Sequence, residues 1–297
     1  MSINRRGFLA AGAAAVGLST ASAPSAGRAA EPEAKAKAAL KLSSQLGIIP
    51  GKSLQEKIKR MEEWGFDGVE LPGEIVGKEK TFKEAIQGTR LKFSAVCWGS
   101  INGDVVSENE SKRAPAVAAL KKVLAAAAEL ESTGVIYVPA FNGQTKLTNQ
   151  EIRRILEETL PAVGEYAVKV GSRLLLEPLN RGEAFFLRQL ADAASICRDS
   201  KSPGICMMGD FYHMYIEETS DLGAFISAGN CLHHVHLASR RRVLPGQDER
   251  QFVDGFRGLK WIGYQDYCSF ECGVQGNPMV EIPKSMAFLR DQWEKAG

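Results

Sequence analysis

Short apolar, strand-like runs recur eight times along this chain, at 40–49, 65–71, 91–98, 134–140, 172–177, 204–209, 232–237 and 267–271. Between them the apolar spacing turns helical, at 53–64, 81–89, 111–131, 148–170, 187–198 and 221–228. A polar, irregular stretch at 240–263 reads as a loop with short helices, and 282–296 reads as a closing helix. Local punctuation agrees with this pattern. Ile58, Met61 and Trp64 share one helical face, Ser53 stands as a cap and Gly65 as a stop. Alternating short strands and amphipathic helices require right-handed crossovers, and therefore a parallel sheet. Eight such units in about 260 residues fit an α/β protein with a single closed (β/α)8 barrel. An open doubly wound sheet is the rival. No GxGxxG follows the first run, and polar residues end many different runs, so the barrel is the better fit. The expected layout is a leader at 1–30, a linker at 31–39 rich in Ala, Lys and Glu, and the barrel at 40–297.

A barrel of this kind gathers its strand C-termini at one face, where active sites lie. Glu177, Asp210, His236 and Glu271 fall at the ends of runs five to eight. All four histidines of the chain (His213, His233, His234 and His236) lie within 24 residues. Any one of these groups alone would read as an ordinary charge on the barrel rim. Four of them on consecutive strands point to one shared ion. Three carboxylates and one imidazole form a hard, oxygen-rich set that suits Mn²⁺ first, or Mg²⁺ or Co²⁺, over a thiolate-bound zinc. Trp98 and Phe141 end runs three and four and are candidates to wall a pocket. Gln45 and Glu70 face the same mouth, and Glu70 has the alternative of a barrel hydrogen-bond network. His234 shares a side of its strand with His236 and is placed to touch the ligand rather than the ion.

Charge and targeting narrow the function further. Net charge is +2, but Arg5, Arg6 and Arg28 lie in the first 29 residues, which hold no acid, so the remainder carries −1. A near-neutral body has no bulk electrostatic reason to bind nucleic acid. Asn4-Arg5-Arg6-Gly7-Phe8-Leu9 is a twin-arginine export motif, followed by a weakly apolar run at 10–18 and a small-residue region at 21–30. That run is too short for a membrane anchor. The expected destination is periplasmic or extracellular. Six cysteines without a CxxC pair read as small buried hydrophobes, and an oxidising destination leaves room for one disulfide.

Several of these stretches resemble the xylose isomerase-like TIM barrel superfamily, and within it the sugar epimerases and isomerases of the D-tagatose 3-epimerase and hydroxypyruvate isomerase kind. They are Leu176-Glu177-Pro178-Leu179-Asn180-Arg181 with Glu183 behind it, and Asp210-Phe211-Tyr212-His213-Met214. The His234-Val235-His236 pair with Arg242, Phe270-Glu271 and the run 65–71 complete the set. The resemblance implies that Glu177, Asp210, His236 and Glu271 bind the metal and that Glu177 and Glu271 are the acid–base pair. It implies that His213, Arg242 and Glu183 contact substrate oxygens. The chain departs from the epimerases at Leu237-Ala238-Ser239-Arg240-Arg241, lacking the acid often found at 239. Arg240 and Arg241 there read either as contacts for an anionic substrate end or as solvated loop charges.

The implied chemistry is removal of the proton next to a carbonyl, through a metal-bound enediolate, with return of a proton to the other face or to the neighbouring carbon. The expected partner is a small-molecule sugar or keto-sugar, with no nucleic acid and no stable membrane anchor; a homo-oligomer is left open. Three alternatives stand beside it. The same site would serve a lyase that β-eliminates from 3-keto-glycosides. An endonuclease IV-like nuclease would need more histidines and a basic groove. A non-catalytic sugar-binding protein would not need the acid–base pair.

Overall fold

The computed structural model describes residues 37–297. The leader expected at 1–30 and most of the 31–39 linker lie outside the described residues. The first four strands are β1 (Lys41–Gln45), β2 (Gly68–Pro72), β3 (Lys92–Gly99) and β4 (Val135–Tyr137), and the others are β5 (Leu174–Leu176), β6 (Ile205–Asp210), β7 (Leu232–Leu237) and β8 (Tyr267–Phe270). They pair in sequence order into a closed barrel. β1 closes it against β8, with Lys41 opposite Tyr267 and Ser44 opposite Phe270, parallel like the other pairs. The helices are α1 (Leu54–Trp64), α2 (Glu79–Ile86), α3 (Glu110–Glu129), α4 (Asn149–Val170), α5 (Leu190–Asp199), α6 (Phe211–Glu217), α7 (Asp221–Ala228), α8 (Val253–Ile262) and α9 (Pro278–Lys295).

The expected caps are present. Ser53 accepts from the Glu56 N–H, and Thr148 and Glu151 form a reciprocal capping box. The 240–263 stretch contains α8, in keeping with a loop that carries short helices. α6 was not expected. It follows β6 without a loop because Asp210 both ends the strand and caps the helix, its Oδ1 accepting from the Tyr212 N–H at 2.6 Å. An acid that reads as a strand-end ligand hides the helix start behind it.

Strand side chains alternate between two environments. Leu174, Leu176, Val135, Tyr137 and Met207 point outward into the main core beneath the helices. Ala95, Ile136, Leu175, Cys206 and Met208 form a separate cluster that fills the barrel interior. Burial of each such leucine stabilises the fold by about 1.5–3 kcal/mol. Two residues on from Leu175, Met208 and Ser269, the same inward side carries Glu177, Asp210 and Glu271. The apolar filling therefore becomes a floor and the charged groups a mouth. All six cysteines are free thiols. Among the described residues no helix is long and apolar enough to cross a membrane.

Candidate active site

Glu177, Asp210, His236 and Glu271 converge, each offering a ligand atom within 4.8 Å of the others. Strand register brings them there. Asp210 of β6 lies directly opposite His236 of β7, and His236 lies opposite Ser269, two residues before Glu271. Glu177 and Glu271 each stand one residue beyond their strand, where the chain leaves the barrel. His236 Nδ1 is the hub, 3.2 Å from Glu271 Oε2, 3.6 Å from Glu177 Oε1 and 3.8 Å from Asp210 Oδ2.

Two atoms of this cluster, Asp210 Oδ2 and His236 Nδ1, are buried with no hydrogen-bond partner. Native interiors rarely leave such groups unpaired unless something else satisfies them. The electrostatics agree. Burial, and then the charge of Glu271, push the Asp210 carboxyl up to about 8. Burial also raises Glu177 above the usual carboxylate range. Burial would raise Glu271 too, but the charge of His236, its hydrogen bond and the charge of Arg242 together outweigh burial and carry the carboxyl down to about 2. Three acids in a dry site hold more negative charge than their surroundings neutralise. A divalent cation with oxygen preference fits this donor set and this charge.

The hydrogen bonds around His236 decide its tautomer. Its Nε2 lies 3.0 and 3.1 Å from the two carboxylate oxygens of Glu70. An ionised carboxylate only accepts, so Nε2 carries a proton. Against the cost of burial, the facing acids hold the imidazole well above its usual range, and Nδ1, the atom turned toward them, would shed its proton to take a cation. His213 also carries its proton on Nε2, but the ring is turned so that this nitrogen faces the site. The Asn180 N–H donates to His213 Nδ1 at 3.2 Å, which leaves the ring proton on Nε2. That Nε2 has no hydrogen-bond partner and lies 3.6 Å from Asp210 Oδ2. Burial and the Arg242 charge pull His213 down to about 3, so it is a neutral donor aimed into the site.

Arg242 forms the rim. Its Nη2 donates to Glu271 Oε2 at 2.8 Å and its Nη1 to Glu183 Oε1 at 3.0 Å, and its guanidinium lies over the Tyr212 ring. Arg242 is held at φ 54°, a left-handed conformation that costs a non-glycine residue on the order of 1–3 kcal/mol. A tight turn enforces it, with Arg242 N–H donating to Ser239 O and Gly273 N–H donating to Arg242 O, both at 2.8 Å. Asn180 Nδ2 donates to Glu183 at 3.0 Å and so ties the rim to the His213 side. Exposure gives the approach direction. The Asp210 and His236 side chains are fully buried, whereas Glu271 is 18% exposed and Arg242 33%. A cavity of about 460 Å³ lined by Gln45, Gly73, Glu70 and Cys97 opens beside Glu271. Gln45 Nε2 donates to Glu271 Oε1 at 3.0 Å, and Cys97 Sγ lies 3.9 Å from the same oxygen.

The other expected residues take lesser places. Trp98 is half-buried at the end of β3 beside Tyr137, with ring centroids 6.2 Å apart, and Phe141 packs on Val138, Leu179 and Ala184. Arg240 faces Glu249 at 3.5 Å and lies over the Tyr215 ring of α6, and Arg241 donates to Gln247 O. Asn180, Gln45, Glu70 and Cys97 were given no firm role by sequence reasoning. Strand alternation places Gln45, Glu70 and Cys97 on the inward face, which was the available signal; nothing local marked Asn180.

A family model described as xylose isomerase-like TIM barrel matches residues 58–292. A 3-dehydro-D-guloside 4-epimerase of Escherichia coli (strain K12) is 29% identical over 262 residues, spanning 84% of this chain and 99% of that protein. A ketose 3-epimerase of Arthrobacter globiformis is 26% identical over 255 residues, spanning 83% of this chain and 87% of its own. Among solved structures, the apo form of a 3-keto-D-glucoside 4-epimerase from E. coli superposes with a TM-score of 0.78 at 28% identity, covering 85% of this chain and all of that one.

Proposed function

The chain belongs to the xylose isomerase-like TIM barrel family, and from that premise we propose that it is a sugar epimerase, dependent on a divalent cation and acting on a ketose or keto-glycoside. The observation that carries this reading is the convergence of Glu177, Asp210, His236 and Glu271 around unpartnered Asp210 Oδ2 and His236 Nδ1. The relatives' names share one chemical feature. A 3-dehydro sugar inverted at carbon 4 and a ketose inverted at carbon 3 both react at the carbon next to a carbonyl. Inversion there requires removal of an acidified C–H proton and its return on the opposite face.

Glu177, Asp210, His236 and Glu271 would hold the cation, and Mn²⁺ best suits the set. When bound, the cation supplies Lewis acidity that lowers the pKa of the C–H beside the carbonyl. Glu271 stands on the open side and takes that proton, held ionised by Arg242 at 2.8 Å. Glu177, which also faces His236 Nδ1 at 3.6 Å, returns a proton to the opposite face. His213 offers its Nε2–H to a substrate oxygen, and Arg242 with Glu183 orients the hydroxyls at the rim. We propose as well that residues 1–30 direct export by the twin-arginine route and are followed by a linker to the barrel.

The test is C–H/deuterium exchange by NMR in D₂O across ketoses and 3-keto-glycosides, with Mn²⁺ and after chelation. The expected result is an isomeric product carrying deuterium, lost on chelation and restored by Mn²⁺. An unsaturated sugar with a released aglycone would replace epimerisation by elimination. Metal and sugar binding without exchange would make this a binding protein.

A further inference from the structure

We propose that Glu70 is the positioning residue for His236, fixing the ring so that a bare Nδ1 faces the cation; this rests on the metal-centre reading above. Glu70 belongs to β2 and His236 to β7, strands that are not neighbours in the barrel. Their contact therefore crosses the barrel interior just beneath the mouth. Glu70 is 1% exposed and receives four close contacts from three donors. They are His236 Nε2 at 3.0 and 3.1 Å, His234 Nε2 at 2.8 Å and Gln45 Nε2 at 2.9 Å.

A carboxylate buried this deeply is costly unless its oxygens are satisfied. Here both oxygens are occupied by donors, Oε1 by Gln45 and His236 and Oε2 by His234 and His236. Glu70, His234 and His236 also lie close enough to hold an ion of their own. The hydrogen bonds argue against that. Each imidazole nitrogen that faces Glu70 must donate a proton to it, and those protons occupy the space an ion would need. The trio is thus a support for the neighbouring site. His234, whose ring stands at 87° to that of His236, holds the acid from the other side. Gln45 bridges the acid to Glu271, so the arrangement reaches a second candidate ligand.

The discriminating variant is Glu70→Gln. It keeps size and hydrogen bonding, but its amide turns an NH₂ toward one of the two imidazoles and forces that ring to shift its proton or rotate. Mn²⁺ affinity, read by EPR titration of the chelated and refilled full-length protein, is expected to fall about 10–100-fold. The melting temperature of the chelated protein should change little. If Glu70→Gln does not fold, His234→Asn keeps the acid and removes one of its donors, and a smaller loss of Mn²⁺ affinity is expected. Wild-type affinity in a folded Glu70→Gln, or in His234→Asn where the first does not fold, would overturn the assignment. So would a lower melting temperature with unchanged affinity, the mark of a purely structural acid. A wild-type protein that binds no Mn²⁺ would instead overturn the metal-centre reading.

Discussion

Glu177 and Glu271 are the same side chain placed in two environments, and the difference divides their work. Glu177 is enclosed and its carboxyl is raised by burial. Glu271 is less enclosed and lies against His236 and Arg242, and its carboxyl is carried down to about 2. A bound divalent cation would lower both carboxyls, so the division of work rests on position: Glu271 lies at the open side under Arg242, and Glu177 lies deeper. Replacing Glu271 by Gln keeps the contact with Gln45 possible and removes the base. Deuterium exchange should fall at least about 100-fold, the lower range for loss of general-base catalysis. The melting temperature should stay near that of wild type, because Glu271 is the most exposed of the four and lies at the mouth. Near-normal exchange by a folded Glu271→Gln protein would remove Glu271 from the chemistry.

The barrel's elements are packed closely enough that some positions admit no side chain at all. Gly204 precedes β6, the strand that delivers Asp210, and packs against α4. A Cβ at Gly204 would lie 2.2 Å from the carbonyl oxygen of Gly164 in α4. Backbone cannot rotate away as a side-chain tip can, so the helix or the strand must move. Gly204→Ala is expected to destabilise the protein by about 1–3 kcal/mol, the usual range for overpacking. A denaturant melt measures this, and an unchanged midpoint would show that α4 and β6 yield more easily than their packing implies. On the other side of Asp210, α6 is secured through Glu217, which accepts from the Arg181 N–H, Nε and Nη2. That ion pair links the loop after β5, which carries Glu177 and Asn180, to the helix that carries His213. The two halves of the mouth are thereby joined by charge as well as by strand pairing.

At the scale of the whole chain, the basic excess is confined to the first 29 residues, proposed above as part of an export leader, and the remainder is close to neutral. That balance leaves nucleic acid without a bulk attraction. Changing Arg5 and Arg6 together to Lys preserves the charge while removing the paired guanidinium groups. The variant is expected to accumulate in the cytoplasm, as read by cell fractionation and immunoblotting. Undiminished export of the double variant would sink the twin-arginine assignment and leave the barrel chemistry untouched.

The order of strands and helices was legible from sequence because it depends on local periodicity and capping. The four candidate ligands were legible because each ends an apolar run on a consecutive strand, and a parallel barrel brings such ends to one face. That Glu70 joins a barrel hydrogen-bond network was one of the sequence readings, but which groups it holds was not legible. Its two histidine partners are 164 and 166 positions away, and they meet it only once the barrel has closed. The same holds for Gln45, which reaches Glu271 across 226 positions, and for Asn180, whose backbone N–H sets the tautomer of His213. Sequence alone determined which groups arrive at the mouth, since alternation and strand ends are properties of neighbouring residues. Tertiary structure decided which nitrogen carries a proton and which acid stays ionised, since those depend on charges and donors brought within about 3–4 Å by the fold.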